Sequence, residues 1–231
     1  GEMEGTVPDS ALHEIAVLEE VDRDGAIREA AAAVNGDTRA QFIRKGGILA
    51  GAGLGIAAIP GGIALAQGTP KGDVKILNYA LTLEYLEAAF YAEANAKGKL
   101  KGIAARFARV VGAHESQHVA ALQKALGTAA LKKPSFDFKG TTAKTGTFLA
   151  TAMTLEDTGV SAYQGQAGNI KTPAVLASAG AILAVEARHA AWVRDIIGAG
   201  KSPSPAPDAF SKSLSMSEVL TAVKGTGFIT S

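Results

Sequence analysis

Thr82-Leu83-Glu84-Tyr85-Leu86-Glu87-Ala88-Ala89-Phe90-Tyr91 and Thr154-Leu155-Glu156-Asp157-Thr158-Gly159-Val160-Ser161-Ala162-Tyr163 open two copies of one pattern. Each has Thr-Leu-Glu with a Tyr seven residues beyond the Glu. Each is followed by Glu-x-x-His, as Glu115-Ser116-Gln117-His118 and as Glu186-Ala187-Arg188-His189. Glu84 to Glu115 is 31 positions and Glu156 to Glu186 is 30. Residues three apart share a helix face, so Glu115 with His118, and Glu186 with His189, can reach one metal together. A lone Glu from each of two helices and a Glu-x-x-His pair from each of two more make the ligand set of a dinuclear site inside a four-helix bundle.

The surrounding residues fit inward carboxylates better than a solvated face. Val111, Val119 and Leu122 accompany Glu115, while Leu183, Ala190 and Trp192 accompany Glu186. Buried carboxylates require charge compensation, which metal provides. Oxygen-rich donors with two imidazoles suit iron or manganese; zinc binds them too but has no redox chemistry.

Helical texture begins at Asp73, where Val74, Leu77, Leu81, Tyr85 and Ala88 form one stripe. The spacing predicts helices over 73–96, 103–126, 143–167 and 173–197, with Gly98, Gly127, Gly168 and Gly198 beyond their ends. Short connections make the first pair antiparallel, and likewise the second. Thr128–Thr142 is long enough to cross a bundle. The expected fold is all-α: two antiparallel hairpins joined by a long crossover in a four-helix bundle over 67–200. Pro203, Pro205 and Pro207 make a stiff linker within 201–231, and Ser215-Met216-Ser217-Glu218 is a capping box for a short helix to about Lys224. Phe228 and Ile229 are expected to pin the end onto the bundle.

The amino-terminal part differs in character. Residues 1–37 carry ten acidic side chains against Arg23 and Arg28, and read as a helical extension. Arg39, Arg44 and Lys45 then precede Gly46–Ala66, a chargeless run ending Ala64-Leu65-Ala66. Basic flank, apolar run and Ala-x-Ala end have the form of an export signal, so 38–66 is expected to direct export or anchor the chain at a membrane. Its Gly content weakens it as a spanning helix, and a flexible, weakly apolar segment packed on its own domain or on a partner, in a cytoplasmic protein, is the alternative. Thr38-Arg39-Ala40-Gln41-Phe42-Ile43-Arg44 resembles a twin-arginine signal with Ala40 in place of the second arginine.

Hydrophobic residues make up 47% and charged residues 19%, a globular composition. A formal charge of +1 without a basic cluster argues against nucleic-acid binding. The absence of Cys excludes disulfides, thiolate zinc and iron–sulfur clusters. Among neighbours of the six donors, Glu87 reads as a partly exposed helix residue or a competing ligand. Asp157 is expected to face solvent or a cap, and His114 to lie outside the ligand set or at the surface. His13 has no partner pattern. Gly159 would permit a helix bulge. Tyr91 and Tyr163 are candidates for hydrogen bonding a ligand Glu, for catalysis as redox-active phenols, or for core packing.

The pattern resembles the ferritin-like superfamily, especially bacterial ferritin-like domain proteins similar to the desiccation-related group, over about Asp73 to Ile197. Leu77-Asn78 to Tyr91 also looks like the first helix of bacterioferritins and rubrerythrins. The resemblance implies two iron or two manganese ions held by Glu84, Glu115, His118, Glu156, Glu186 and His189. It makes Glu115, with Glu156 or Glu84, the candidates for bridging. Relatives include ferroxidases and storage proteins, peroxide reductases, manganese catalases and oxygenases, so dioxygen or hydrogen peroxide is the implied partner. A role in stress protection and assembly as a homo-oligomer are further expectations. A structural or interaction protein of the cell envelope, keeping the fold without catalysis, is the alternative.

Overall fold

A computed structural model describes residues 69–198 and 204–230. The acidic extension and the signal-like segment of 1–66 lie outside the described residues. Among the described residues five helices follow in order: α1 Lys71–Lys97, α2 Gly102–Leu126, α3 Thr145–Ala167, α4 Pro173–Gly198 and α5 Met216–Thr226. A 3-10 turn, Gly127–Ala129, prolongs α2. The architecture is all-α, a four-helix bundle with a short carboxy-terminal helix. Helix ends fall where the local chemistry puts them. Gly98 closes α1 at φ 59°, a left-handed conformation that Gly adopts without penalty. Ser215 and Glu218 form the reciprocal capping box of α5.

Helix α1 packs on α2 and α3 on α4, with α1 also against α3 and α2 against α4. The direction of α1 relative to α3 follows from two hydrogen bonds. Tyr91 on α1 donates to Glu156 on α3, and Tyr163 on α3 donates to Glu84 on α1. Each bond joins a position seven residues beyond a Glu to the Glu of the other helix, a reciprocity that requires antiparallel helices. The 127–144 segment therefore runs the bundle's length, as expected for two hairpins joined by a crossover.

Two apolar clusters fill the bundle. One holds Phe90, Tyr91, Phe107, Val111, Phe148, Leu155 and Val193; the other holds Leu77, Leu81, Leu122, Tyr163, Val175 and Ala179. On α2, α3 and α4 the Glu and His residues of the repeated pattern fall between them, so a polar layer is sealed by hydrocarbon above and below. The crossover and tail close one end. Phe138 stacks edge-on against Phe90 and Phe228 at centroid distances of 5.4 Å. Asp137 N donates to Phe228 O at 2.8 Å, and Thr230 N to Ser135 O at 3.0 Å. Phe136 and Ile229 form an antiparallel bridge, so Phe228 and Ile229 do fasten the tail.

Asp73, fully buried, joins the start of α1 to the start of α4 by accepting from Lys171 N at 3.0 Å and Thr172 N at 2.8 Å. The tail crosses α3 at close range, with Leu214 N donating to Ser161 O at 3.1 Å. A Cβ on Gly165 would lie 1.8 Å from Leu214 O, so only Gly fits beneath this crossing. Gly165→Ala should therefore lower stability by about 1–3 kcal/mol, the range for overpacking. Gly180→Ala, on an exposed helix position with nothing within 4 Å, should raise it by about 0.5–1 kcal/mol. Thermal unfolding checks both, and equal melting temperatures would contradict the tail crossing.

Candidate metal centre

All four bundle helices deliver side chains to the polar layer. Helical periodicity aims Glu84 from α1 and Glu156 from α3, and the Glu-x-x-His spacing aims Glu115 with His118 from α2 and Glu186 with His189 from α4. The four carboxylates have no solvent exposure and His189 has 3%. The His118 side chain keeps 12%, the nearest approach of solvent to the group. All six residues of the repeated pattern are thus brought together.

Their donor atoms fall into two overlapping sets, each within 4.8 Å: Glu84, Glu115, His118 and Glu186; and Glu115, Glu156, Glu186 and His189. Glu115 and Glu186 belong to both, whereas Glu84 and Glu156 belong to one each. The shared pair differs from the expectation of Glu115 with Glu84 or Glu156. Which carboxylates lie centrally is decided by how α2 and α4 face each other, and helix spacing within one sequence does not contain that.

His118 Nδ1 lies 3.2 Å from Glu84 Oε2, 3.1 Å from Glu115 Oε2 and 3.2 Å from Glu186 Oε1. His189 Nδ1 lies 3.0 Å from Glu115 Oε1 and 3.1 Å from Glu156 Oε2. One ring nitrogen carries at most one proton and cannot serve several carboxylates. The contacts to Glu115 Oε1 and Glu186 Oε1 are close enough for ionic attraction but not aligned as hydrogen bonds. These two atoms and Glu186 Oε2 are buried without a hydrogen-bond partner. Two donors about 2.1 Å from one cation, at right angles, are about 3 Å apart. The convergence and the orphaned oxygens both fit a cation among these side chains.

Titration behaviour agrees. Burial raises Glu115 to about 7 and Glu186 to about 8, with the neighbouring carboxylates adding to it. Burial alone would lower the imidazoles, but carboxylates outweigh it: Glu115, Glu186 and Glu84 push His118 up to about 12, and Glu115 and Glu156 push His189 up to about 10. Even with both imidazoles charged, four ionised carboxylates would leave the layer negative. Two divalent cations beside neutral imidazoles would balance them.

The surrounding residues hold the donors in place. Tyr163 Oη donates to Glu84 Oε1 at 2.6 Å, and Tyr91 Oη donates to Glu156 Oε1. Burial drives both phenols well above their usual range, so both remain donors. His114 is half-buried and meets the site: its Nδ1 lies 2.8 Å from His189 Nε2, with the rings stacked. That contact leaves His189 Nδ1 directed at the carboxylates.

Asp157 keeps 39% of its side chain exposed, as expected of a residue turned toward solvent, and also accepts from Arg194 at 2.5 Å, pairing α3 with α4. One neighbour departs from expectation. Glu87 is 3% exposed, not a partly exposed helix residue. Its place three residues after Glu84, on the stripe that leads to Tyr91, was the signal for its burial. Residues 72–199 match the family model of the ferritin-like domain, and the chain belongs to that family. No curated protein matches the chain.

The raised groups give the metal-free protein a definite pH dependence. Between the ordinary carboxylate value and about 8, folded Glu115 and Glu186 bind more protons than in the unfolded chain. Between the ordinary imidazole value and about 10, so do His118 and His189. Both windows have the same sign, so stability falls as pH rises. Chelator-treated protein should melt at a higher temperature at pH 5 than at pH 9, and added metal should reduce that difference. Melting curves across this range check it; apo-protein stability that rises toward pH 9 would contradict it.

Proposed function

We propose that the centre holds two iron or two manganese ions and performs redox chemistry with dioxygen or hydrogen peroxide, serving protection under oxidative or desiccation stress. The observation carrying this reading is that Glu115 and Glu186 belong to both donor sets, which makes two adjacent metal positions. Donors that are mostly carboxylate oxygen, with one imidazole per position, suit iron and manganese. Bound there, the metal pair would supply electrons to an oxygen species.

The chain's own residues divide the remaining work. Glu84 with His118 and Glu156 with His189 would hold one position each, while Glu115 and Glu186 would contribute to both. The Tyr163 and Tyr91 hydroxyls orient the outer carboxylates through Oε1 and leave Oε2 toward the imidazoles. His114 fixes the tautomer of His189. The apolar clusters on either side exclude bulk water, which strengthens every electrostatic interaction in the layer. Export through the segment at 38–66, with its twin-arginine-like start, would place this chemistry in the periplasm or cell envelope.

Metal analysis of protein reconstituted with Fe(II) or Mn(II) should find two ions per chain. Glu186→Ala should disturb both positions, and Glu84→Ala one. Stopped-flow mixing of the reduced, loaded protein with dioxygen or with hydrogen peroxide should show oxidation at least tenfold faster than free metal. Rates at the free-metal background with both oxidants would overturn the redox reading and favour a structural role in the envelope.

A further inference from the structure

Glu87 is a buried carboxylate beside the polar layer that neither donor set includes. We propose that it is a seventh protein donor to the metal pair, admitted to the centre by Gly159. The proposal rests on the dinuclear reading above.

Its position comes from the internal repeat. Glu84, Tyr91, Glu115 and His118 recur 71 or 72 positions later as Glu156, Tyr163, Glu186 and His189. By the same offset the counterpart of Glu87 is Gly159. The repeat is therefore broken at one place, by an acid on one side and the loss of a side chain on the other. The reciprocal pairs Tyr91–Glu156 and Tyr163–Glu84 put the midpoint of the α1–α3 contact at the height of Glu87 and Gly159. Glu87 thus leaves α1 between the two ends of the centre, and Gly159 faces it.

The space is specific. A Cβ on Gly159 would lie 3.0 Å from Glu186 Oε2 and 3.3 Å from Glu87 Oε1. Both oxygens thus lie against a surface that any other residue would crowd. Glu186 Oε2 is among the buried oxygens without a hydrogen-bond partner. Glu87 is 3% exposed. After burial itself, the largest influences on it are the carboxylates of Glu186, Glu156, Glu115 and Glu84, all of its own sign when ionised. Burial of a carboxylate among like charges is unfavourable. A cation is the partner these surroundings lack.

Cobalt(II) titration of the full chain, followed by calorimetry and visible absorption, tests the proposal without an activity readout. The unaltered protein should take up two Co(II) per chain. Glu87→Gln keeps the shape and removes the charge; it should weaken at least one Co(II) by tenfold or more and change the visible band. Gly159→Ala removes no donor but should also change the band, because its methyl displaces both oxygens. Circular dichroism of the metal-free variants should show wild-type helix content. If Glu87→Gln fails to fold, Glu87→Asp, which keeps the charge and shortens the reach, should show the same weakening. Wild-type affinity and absorption in the folded Glu87 variant would make Glu87 a bystander and overturn this proposal while leaving the dinuclear reading intact. Failure of the unaltered protein to bind Co(II) would overturn both.

Discussion

Four carboxylates with no solvent exposure lie in one layer of a helical bundle, and the rest of the structure is arranged around their charge. An isolated ionised carboxylate is strongly disfavoured in an apolar interior, and like charges side by side make it worse. Imidazoles from two helices offset part of the charge, and two phenolic hydroxyls add hydrogen bonds. Three carboxylate oxygens of the layer, Glu115 Oε1 and both of Glu186, still lack a hydrogen-bond partner. The layer is thus one that its own side chains do not satisfy, which is compatible with a metal site.

The same requirement accounts for the architecture on either side. An aromatic cluster around Phe90, Phe107 and Phe148 seals one end of the layer, and an aliphatic cluster around Leu81, Leu122 and Val175 seals the other. Because α1 and α3 are antiparallel, each Tyr reaches the Glu of the opposite helix, so one pair of bonds fixes both the helix register and the outer donors. The crossover and the tail contribute from outside the layer. Phe138 and Phe228 close the aromatic end, while Leu214 passes over Gly165 and holds α5 on α3. Fold and site are consequently one construction: a shift of α3 along α1 would break the Tyr–Glu pairs and disperse the donor atoms together.

How much of this was legible in the sequence depends on whether a feature is set within one helix or between helices. The six donors were legible, since Glu-x-x-His on one face and Leu-Glu on the partner helices follow directly from a period of about 3.6. So were the antiparallel pairs, the crossover and the capping box of α5, each a matter of connection length or local chemistry. Features set by the second helix were not. Glu115 and Glu186 share the centre because α2 and α4 face each other there. Glu87 meets Gly159 of α3, where a Cβ would crowd its carboxylate, and Asp157 finds Arg194 on α4. His114, adjacent to Glu115 and so rotated by about 100°, still reaches His189 because an imidazole spans the gap between helices. The metal's identity is not encoded by spacing at all, since iron and manganese accept the same donors.

The most direct measurement of the central claim is anomalous diffraction from crystals soaked in Mn(II). Two peaks within the polar layer, both beside Glu115 and Glu186, one toward His118 and the other toward His189, are the result the account predicts. A layer without anomalous density in crystals that bind Mn(II) elsewhere, or a single peak that leaves His118 or His189 unligated, would contradict it.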